Sequence, residues 1–162
     1  KLGNKYEVKN FGVSARTMMN KGDLPYMNEL AWRDAQAFNP DIVIVKLGTN
    51  DSKTHNWAHG ADEYRQSMQA MIDTLKALPS KPKIYLCSPI PAFKDSWTIS
   101  DSIIVNGEMP IIKKLAKKNK CQFIDLHTSY AYGDLMLKDG IHPNAKGAEK
   151  MANIIFEAIE KK

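Results

Sequence analysis

Two residues toward the C-terminal end have the types and spacing of a proton-transfer pair. In Asp139-Gly140-Ile141-His142-Pro143-Asn144 a carboxylate and an imidazole stand three residues apart in a turn. Such a turn can set the carboxylate against one ring nitrogen and leave the other facing a cleft, giving a general base with its orienter. The plainer reading is a helix start in which Asp139 caps backbone N–H groups and His142 lies on the surface; taken alone, the motif favours it. Gly48-Thr49-Asn50-Asp51 offers different chemistry. Its asparagine is an amide donor and its glycine lets backbone approach a ligand closely, which are the parts of an oxyanion hole. An ordinary Asn-Asp turn is the alternative. Gly12, in Asn10-Phe11-Gly12, either points its N–H at a developing oxyanion or serves a tight turn.

The other polar candidates read as structural. His55 and His59 have the i, i+4 spacing of a zinc pair, but no Glu or Cys joins them in a recognised pattern and Gly60 follows. They read as loop residues near the cleft mouth, and no metal is expected. His127 ends a strand without a carboxylate at the matching spacing. Ser14, Ser52 and Ser88 read as loop, turn and strand-end hydrogen bonders. Trp57, Trp97, Tyr26 and Tyr132 fall in loops, where Trp57 and Trp97 are candidates for a substrate-binding rim and any of the four equally serves as an anchor.

These residues must be positioned by regular elements. Residues 41–47, 83–87 and 121–126 are short, nearly continuous apolar runs, the mark of parallel strands covered on both faces. Residues 6–11 alternate polar and apolar side chains and predict an edge or near-edge strand. Helical spacing relates Tyr64, Met68, Met71, Ile72, Leu75 and Leu78, and again Ala148, Met151, Ala152, Ile155, Phe156 and Ile159. A third helix is expected from Asn106, with Pro110 in its first turn. The alternating order predicts a parallel sheet with right-handed crossovers and helices on both faces, a single α/β domain over residues 1–162. Ligands of such sheets bind beyond the carboxyl ends of the strands, where the Gly12, Asn50 and His142 motifs fall.

In that order and at those places the motifs resemble the SGNH hydrolases, also known as the GDSL esterase/lipase family. The resemblance runs essentially from end to end and implies a flavodoxin-like three-layer α/β/α sandwich. It also implies a serine esterase in which His142 is the base, Asp139 its acid partner, and the Gly12 N–H and Asn50 side chain form the oxyanion hole. No cofactor is implied. Wording around the motifs is similar to bacterial members that remove acetyl groups from carbohydrates, so the implied partner is a small acylated substrate, an acetylated sugar. One departure stands out: the family's Gly-Asp-Ser block, with the nucleophile, belongs upstream of Asn10, and the nine residues there contain no serine. The family strand order puts that block's strand between residues 6–11 and 41–47. The expectation is therefore an N-terminally shortened esterase lacking its first strand. A non-catalytic sugar- or acyl-binding module on the same fold is the alternative.

Composition narrows the partners further. The formal charge is +5, but 23 basic and 18 acidic residues are interleaved, and the densest lysine run, 113–120, reads as a solvated helix face, so no nucleic-acid partner is expected. No apolar stretch reaches membrane-span length and no leader is visible. The chain opens on Lys1 rather than Met, leaving a periplasmic or secreted location open. Cys87 and Cys121 fall about four residues out of register on successive strands, too far apart for a disulfide. Oligomeric state is not legible.

Overall fold

Three of the apolar runs become strands. In a computed structural model, which describes residues 3–130 and 133–160, β1 (Ile42–Val45), β2 (Lys83–Cys87) and β3 (Gln122–Ile124) form a parallel sheet in that spatial order. Ile42 lies opposite Lys83, and Tyr85 opposite Gln122. Helix α1 (Leu30–Ala37) leads into β1; α2 (Thr54–Trp57) and α3 (Gly60–Ala77) connect β1 to β2. Between β2 and β3 run α4 (Asp101–Ile103), a π-turn (Ile104–Glu108) and α5 (Met109–Asn119). The short α6 (Leu126–Ser129) and the long α7 (Ala145–Glu160) follow β3.

Side-chain alternation along β2 divides the core into two layers. Ile84 and Leu86 pack with Met68 and Ile72 of α3 and Ile112 and Leu115 of α5. Tyr85 and Cys87 face the other way, toward Leu126, Tyr130 and the α7 residues Met151 and Ile155. The result is helix, sheet, helix. Each fully buried large apolar side chain contributes roughly 1.5–3 kcal/mol, so α3, with Met68, Met71, Ile72 and Leu75 all buried, and α5, with Met109, Ile112 and Leu115 buried, together stabilise this layer.

Several expectations are corrected. Residues 6–11 form no strand. A strand exists only where a neighbour lies about 4.8 Å away to complete its ladder, and here a groove of about 430 Å³ separates residues 6–13 from β1. Its walls include Phe11, Trp32, Phe38, Ile42, Ile44 and Leu47. The Tyr26 hydroxyl donates to the Phe11 carbonyl at 2.9 Å, and the Phe11 ring lies 5.8 Å from that of Phe38, pinning the segment at its end. The third helical stretch begins at Asp101, not Asn106, because Ser100 caps it and accepts the Ile103 N–H. Pro110 does stand in the first turn of α5, after the π-turn. β3 stops at Ile124, since the Asp125 carboxylate accepts the Thr128 N–H and turns the chain into α6. Cys87 pairs with Ile124, which puts Cys121 three residues out of register, and both thiols are free. No helix among the described residues is long and apolar enough to cross a membrane.

Candidate active site

The turn between β3 and α7 is fixed at many points. Leu137 N–H donates to the His142 carbonyl at 2.8 Å, Phe93 N–H to the Gly140 carbonyl at 2.9 Å, and the Ser96 hydroxyl to the Asp139 carbonyl at 2.8 Å. Asn144 caps α7 by accepting the Gly147 N–H at 3.0 Å. Within this frame Asp139 Oδ1 accepts the N–H groups of Ile141 (2.7 Å) and His142 (2.8 Å), while Oδ2 faces His142 Nδ1 at 3.2 Å. The His142 backbone N–H, then that of Ile141, hold the Asp139 carboxyl below the usual carboxylate range. Asp139 therefore does both things its sequence allowed: it caps the turn and faces the imidazole. With Nδ1–H directed at Asp139, Nε2 is left as the acceptor.

His142 lines a cleft of about 420 Å³ together with Ser14, Asn50 and Trp97. The Trp97 ring meets the imidazole edge-on, centroids 5.7 Å apart. Trp97 and Thr98 both have positive φ, 54° and 61°, strain tolerated where the surroundings dictate a side chain's place. Across the cleft Asn50 Nδ2 donates to the Arg16 carbonyl at 3.2 Å, and the Asn50 backbone carbonyl accepts from Asn56 Nδ2 at 2.8 Å. Asp51 is fully buried and accepts the N–H groups of Met18 (2.9 Å) and Met19 (2.7 Å), which ties the loop after residue 12 to the loop after β1. Burial pushes its carboxyl up to about 7 against the opposite pull of those donors.

Other expected residues lie elsewhere. Gly12 borders the groove beside β1, and its N–H donates to Asn10 Oδ1 at 2.8 Å. Trp57 packs on Tyr64, centroids 5.8 Å apart, and against Gly107, and does not line the cleft. Tyr26 anchors residues 6–13, and Tyr132 lies outside the described residues. His55 sits in α2, facing Asp23 at 3.1 Å, and His59 lies in the turn between α2 and α3; neither lines the cleft. His127 does have a carboxylate, Asp101 at 3.0 Å, brought from 26 residues away by tertiary packing rather than local spacing. Ser52 and Ser88 serve the turn and strand end: Ser52 donates to the Thr49 carbonyl, and Ser88 accepts from Leu126 and His127 N–H. No group of three or more His, Cys, Asp or Glu among the described residues is placed to hold a metal.

Two charged residues went unread in the sequence. Lys46 lines both groove and cleft, and burial lowers its pKa. The fully buried Glu108 sits on the apolar stripe of Ile104, Ile112 and Leu115. An acid breaking that stripe was the available signal.

Residues 1–150 match the model of the GDSL-like Lipase/Acylhydrolase family. An acetylxylan esterase of Xylanibacter ruminicola is 53% identical over 177 aligned positions, covering 98% of this chain but 37% of that protein. The chain thus spans little more than a third of this relative. Among solved structures, an acetyl xylan esterase superposes with a TM-score of 0.66 at 27% identity, over 83% of this chain and 74% of the other. An aryl esterase of M. smegmatis shares the fold, with a TM-score of 0.78 at 22% identity, over 98% of this chain and 80% of its own.

Proposed function

Because the chain belongs to the GDSL-like lipase/acylhydrolase family, we propose that its domain removes short acyl groups, acetyl above all, from carbohydrate esters by way of an acyl-enzyme. The observation that carries this reading is the Asp139–His142 pair facing Asn50 across one cleft, with His142 Nε2 unencumbered by Asp139. In the proposed reaction His142 takes the proton of a serine hydroxyl, Asp139 orients the ring and stabilises the imidazolium, and Asn50 Nδ2 holds the oxyanion with the Gly12 N–H. The tetrahedral intermediate then collapses, breaking the ester C–O bond as the His142 imidazolium returns its proton to the departing sugar oxygen, and water hydrolyses the acyl-enzyme with His142 again as base, releasing the carboxylic acid and regenerating the serine. For the oxyanion role, Gly12, which borders the groove and not the cleft, must shift toward the cleft as its N–H exchanges Asn10 Oδ1 for the substrate oxygen, and Asn50 must exchange the Arg16 carbonyl.

The serine in this proposal arrives on an upstream strand lying in the groove beside β1. Val13, Lys46 and Leu47 line both groove and cleft, so a strand parallel to β1 would discharge its last residue beside Asn50 and His142. Ser14, already at the cleft, makes no hydrogen bond to His142, which supports its loop-shaping role. Acetylated sugar as the substrate is supported by the acetylxylan esterase names of two relatives and by Trp97, whose exposed ring beside His142 suits the apolar face of a pyranose.

The deciding experiment assays the full-length protein and its His142→Ala variant on acetylated xylo-oligosaccharides and on p-nitrophenyl esters of increasing chain length. The expected result is acetyl release that falls with chain length and is lost in the variant. A folded His142→Ala protein with near-normal turnover would refute the dyad. Sugar binding without cleavage of any ester would replace the esterase with a binding module.

A further inference from the structure

The π-turn Ile104–Glu108 carries an acid into the core. Glu108 is fully buried, and neither of its carboxyl oxygens has a hydrogen-bond partner. The hydroxyl of Tyr64, from α3, is equally buried and equally unpartnered. Both groups converge on Gly48, two residues before Asn50. A methyl group built on Gly48 would overlap Glu108 Oε2 and come within 2.9 Å of both the Tyr64 hydroxyl and Pro89 Cγ, so the absent side chain is what lets the acid approach the backbone. Gly48 also has φ 134°, a conformation other residues rarely adopt.

An apolar side chain of the same length would fill this space without any desolvation cost, so a buried unpaired acid calls for an explanation. The ionisable groups that bear on it are Tyr64 from α3 and Asp51 from the loop after β1. Asp51 has two N–H donors to stabilise a negative charge. Glu108 has none, so Asp51 is the first of the two to ionise, near pH 7, and the proton stays on Glu108. Burial, then the Asp51 charge, push the Glu108 carboxyl well above its ordinary range.

We propose that Glu108, as an uncharged carboxylic acid, is a positioning residue for Asn50: it supports Gly48 from beneath, holds the 48–52 loop at the height from which Asn50 reaches the cleft, and releases that loop when it ionises. What Asn50 then does rests on the esterase reading; where Glu108 holds it does not. The rest of the loop is tied at its flanks, through Asn56 to α2, through Ser52 to the Ser100 N–H, and through Asp51 to residues 18–19. Glu108 and Tyr64 supply the floor.

The test uses the full-length protein with Glu108→Gln, an uncharged near-isostere, and Glu108→Leu. Glu108→Gln is expected to keep kcat within about threefold of wild type at pH 7, and Glu108→Leu to lower kcat about tenfold or more with KM within about twofold. In wild type the Asn50 side-chain amide resonance should show, beside the step of its neighbour Asp51 near pH 7, a separate step as Glu108 titrates, and kcat should fall with that step; both should vanish in Glu108→Gln. Wild-type kcat in folded Glu108→Leu, persistence of that separate Asn50 step in Glu108→Gln, or an ionised carboxylate carbon shift for Glu108 at pH 7 would each overturn the proposal. Should wild type cleave no ester, the esterase reading fails, while the Asn50 resonance and the Glu108 carbon shift still decide this one. Should Glu108→Leu not fold, Glu108→Gln and the two resonances decide it.

Discussion

Asn50 reaches into the cleft on one side-chain bond, Nδ2 to the Arg16 carbonyl, while its neighbour Asp51 is sealed beneath two N–H donors. The two positions should therefore fail differently. Asn50→Ala should leave folding nearly intact, as judged by circular dichroism and urea midpoint, yet on the proposed oxyanion role should lower kcat roughly a hundred- to a thousand-fold. Asp51→Ala leaves the Met18 and Met19 N–H groups buried without acceptors and should cost about 2–5 kcal/mol in urea denaturation. The Asp51 carboxyl also gives stability a direction in pH. Burial raises it to about 7, so between about pH 4 and 7 the folded state keeps a proton that the unfolded chain has released. Folding then takes up protons, and stability should decline as pH rises through that window, by up to roughly 1.4 kcal/mol per pH unit for each such group. Glu108, raised by burial and by the Asp51 charge, acts in the same sense. Asp139, held low by its backbone donors, works oppositely but only below about pH 4, as acid protonates it. Urea midpoints should thus be higher at pH 5 than at pH 8; a flat or rising profile would contradict the buried-acid assignment.

Helix α7 begins directly behind the dyad, and its first turn is tight. A methyl on Gly147 would overlap the Tyr130 hydroxyl and the Leu135 carbonyl and lie 3.0 Å from Pro143 Cβ, next to His142. Gly147→Ala should accordingly lower stability by about 1–3 kcal/mol and, by displacing the helix start, reduce kcat as well. Differential scanning calorimetry with steady-state kinetics separates the two effects. The elements legible in the sequence were those whose signal is local. The runs around β1 and β2, the stripe Tyr64, Met68, Met71, Ile72, Leu75 of α3, and the Asp139–His142 turn each carry their own periodicity or punctuation, and each stands in the structure. What escaped reading was settled at a distance. His127 finds Asp101 across 26 residues, Asp51 binds N–H groups 32 and 33 positions earlier, and the π-turn shifts a helix start that spacing alone put five residues late. Residues 6–11 have a strand's alternation and still form none, because alternation supplies a face and not a neighbour.

At the scale of the molecule, one flank of β1 has no partner strand among the described residues. β2 covers its other side, Ile44 is 42% exposed, and the groove between β1 and residues 6–13 is walled by aromatic and aliphatic side chains. An unpaired strand edge with apolar walls is a template for another strand. Replacing Ile44 with Lys should disturb the present fold little, since the side chain is half solvated, but should weaken whatever strand occupies the groove; thermal melts of the full-length variant would register that as a lowered Tm. Because Val13, Lys46 and Leu47 belong to groove and cleft alike, the proposed esterase reading predicts that occupancy of the groove and catalysis are coupled. The domain therefore lends itself to complementation in trans: a synthetic peptide bearing a Gly-Asp-Ser end, added to the 162-residue domain, should switch on p-nitrophenyl acetate hydrolysis saturably, its half-maximal concentration reporting the peptide's Kd, whereas the same peptide with Ala for Ser should bind and compete without turning the reaction on.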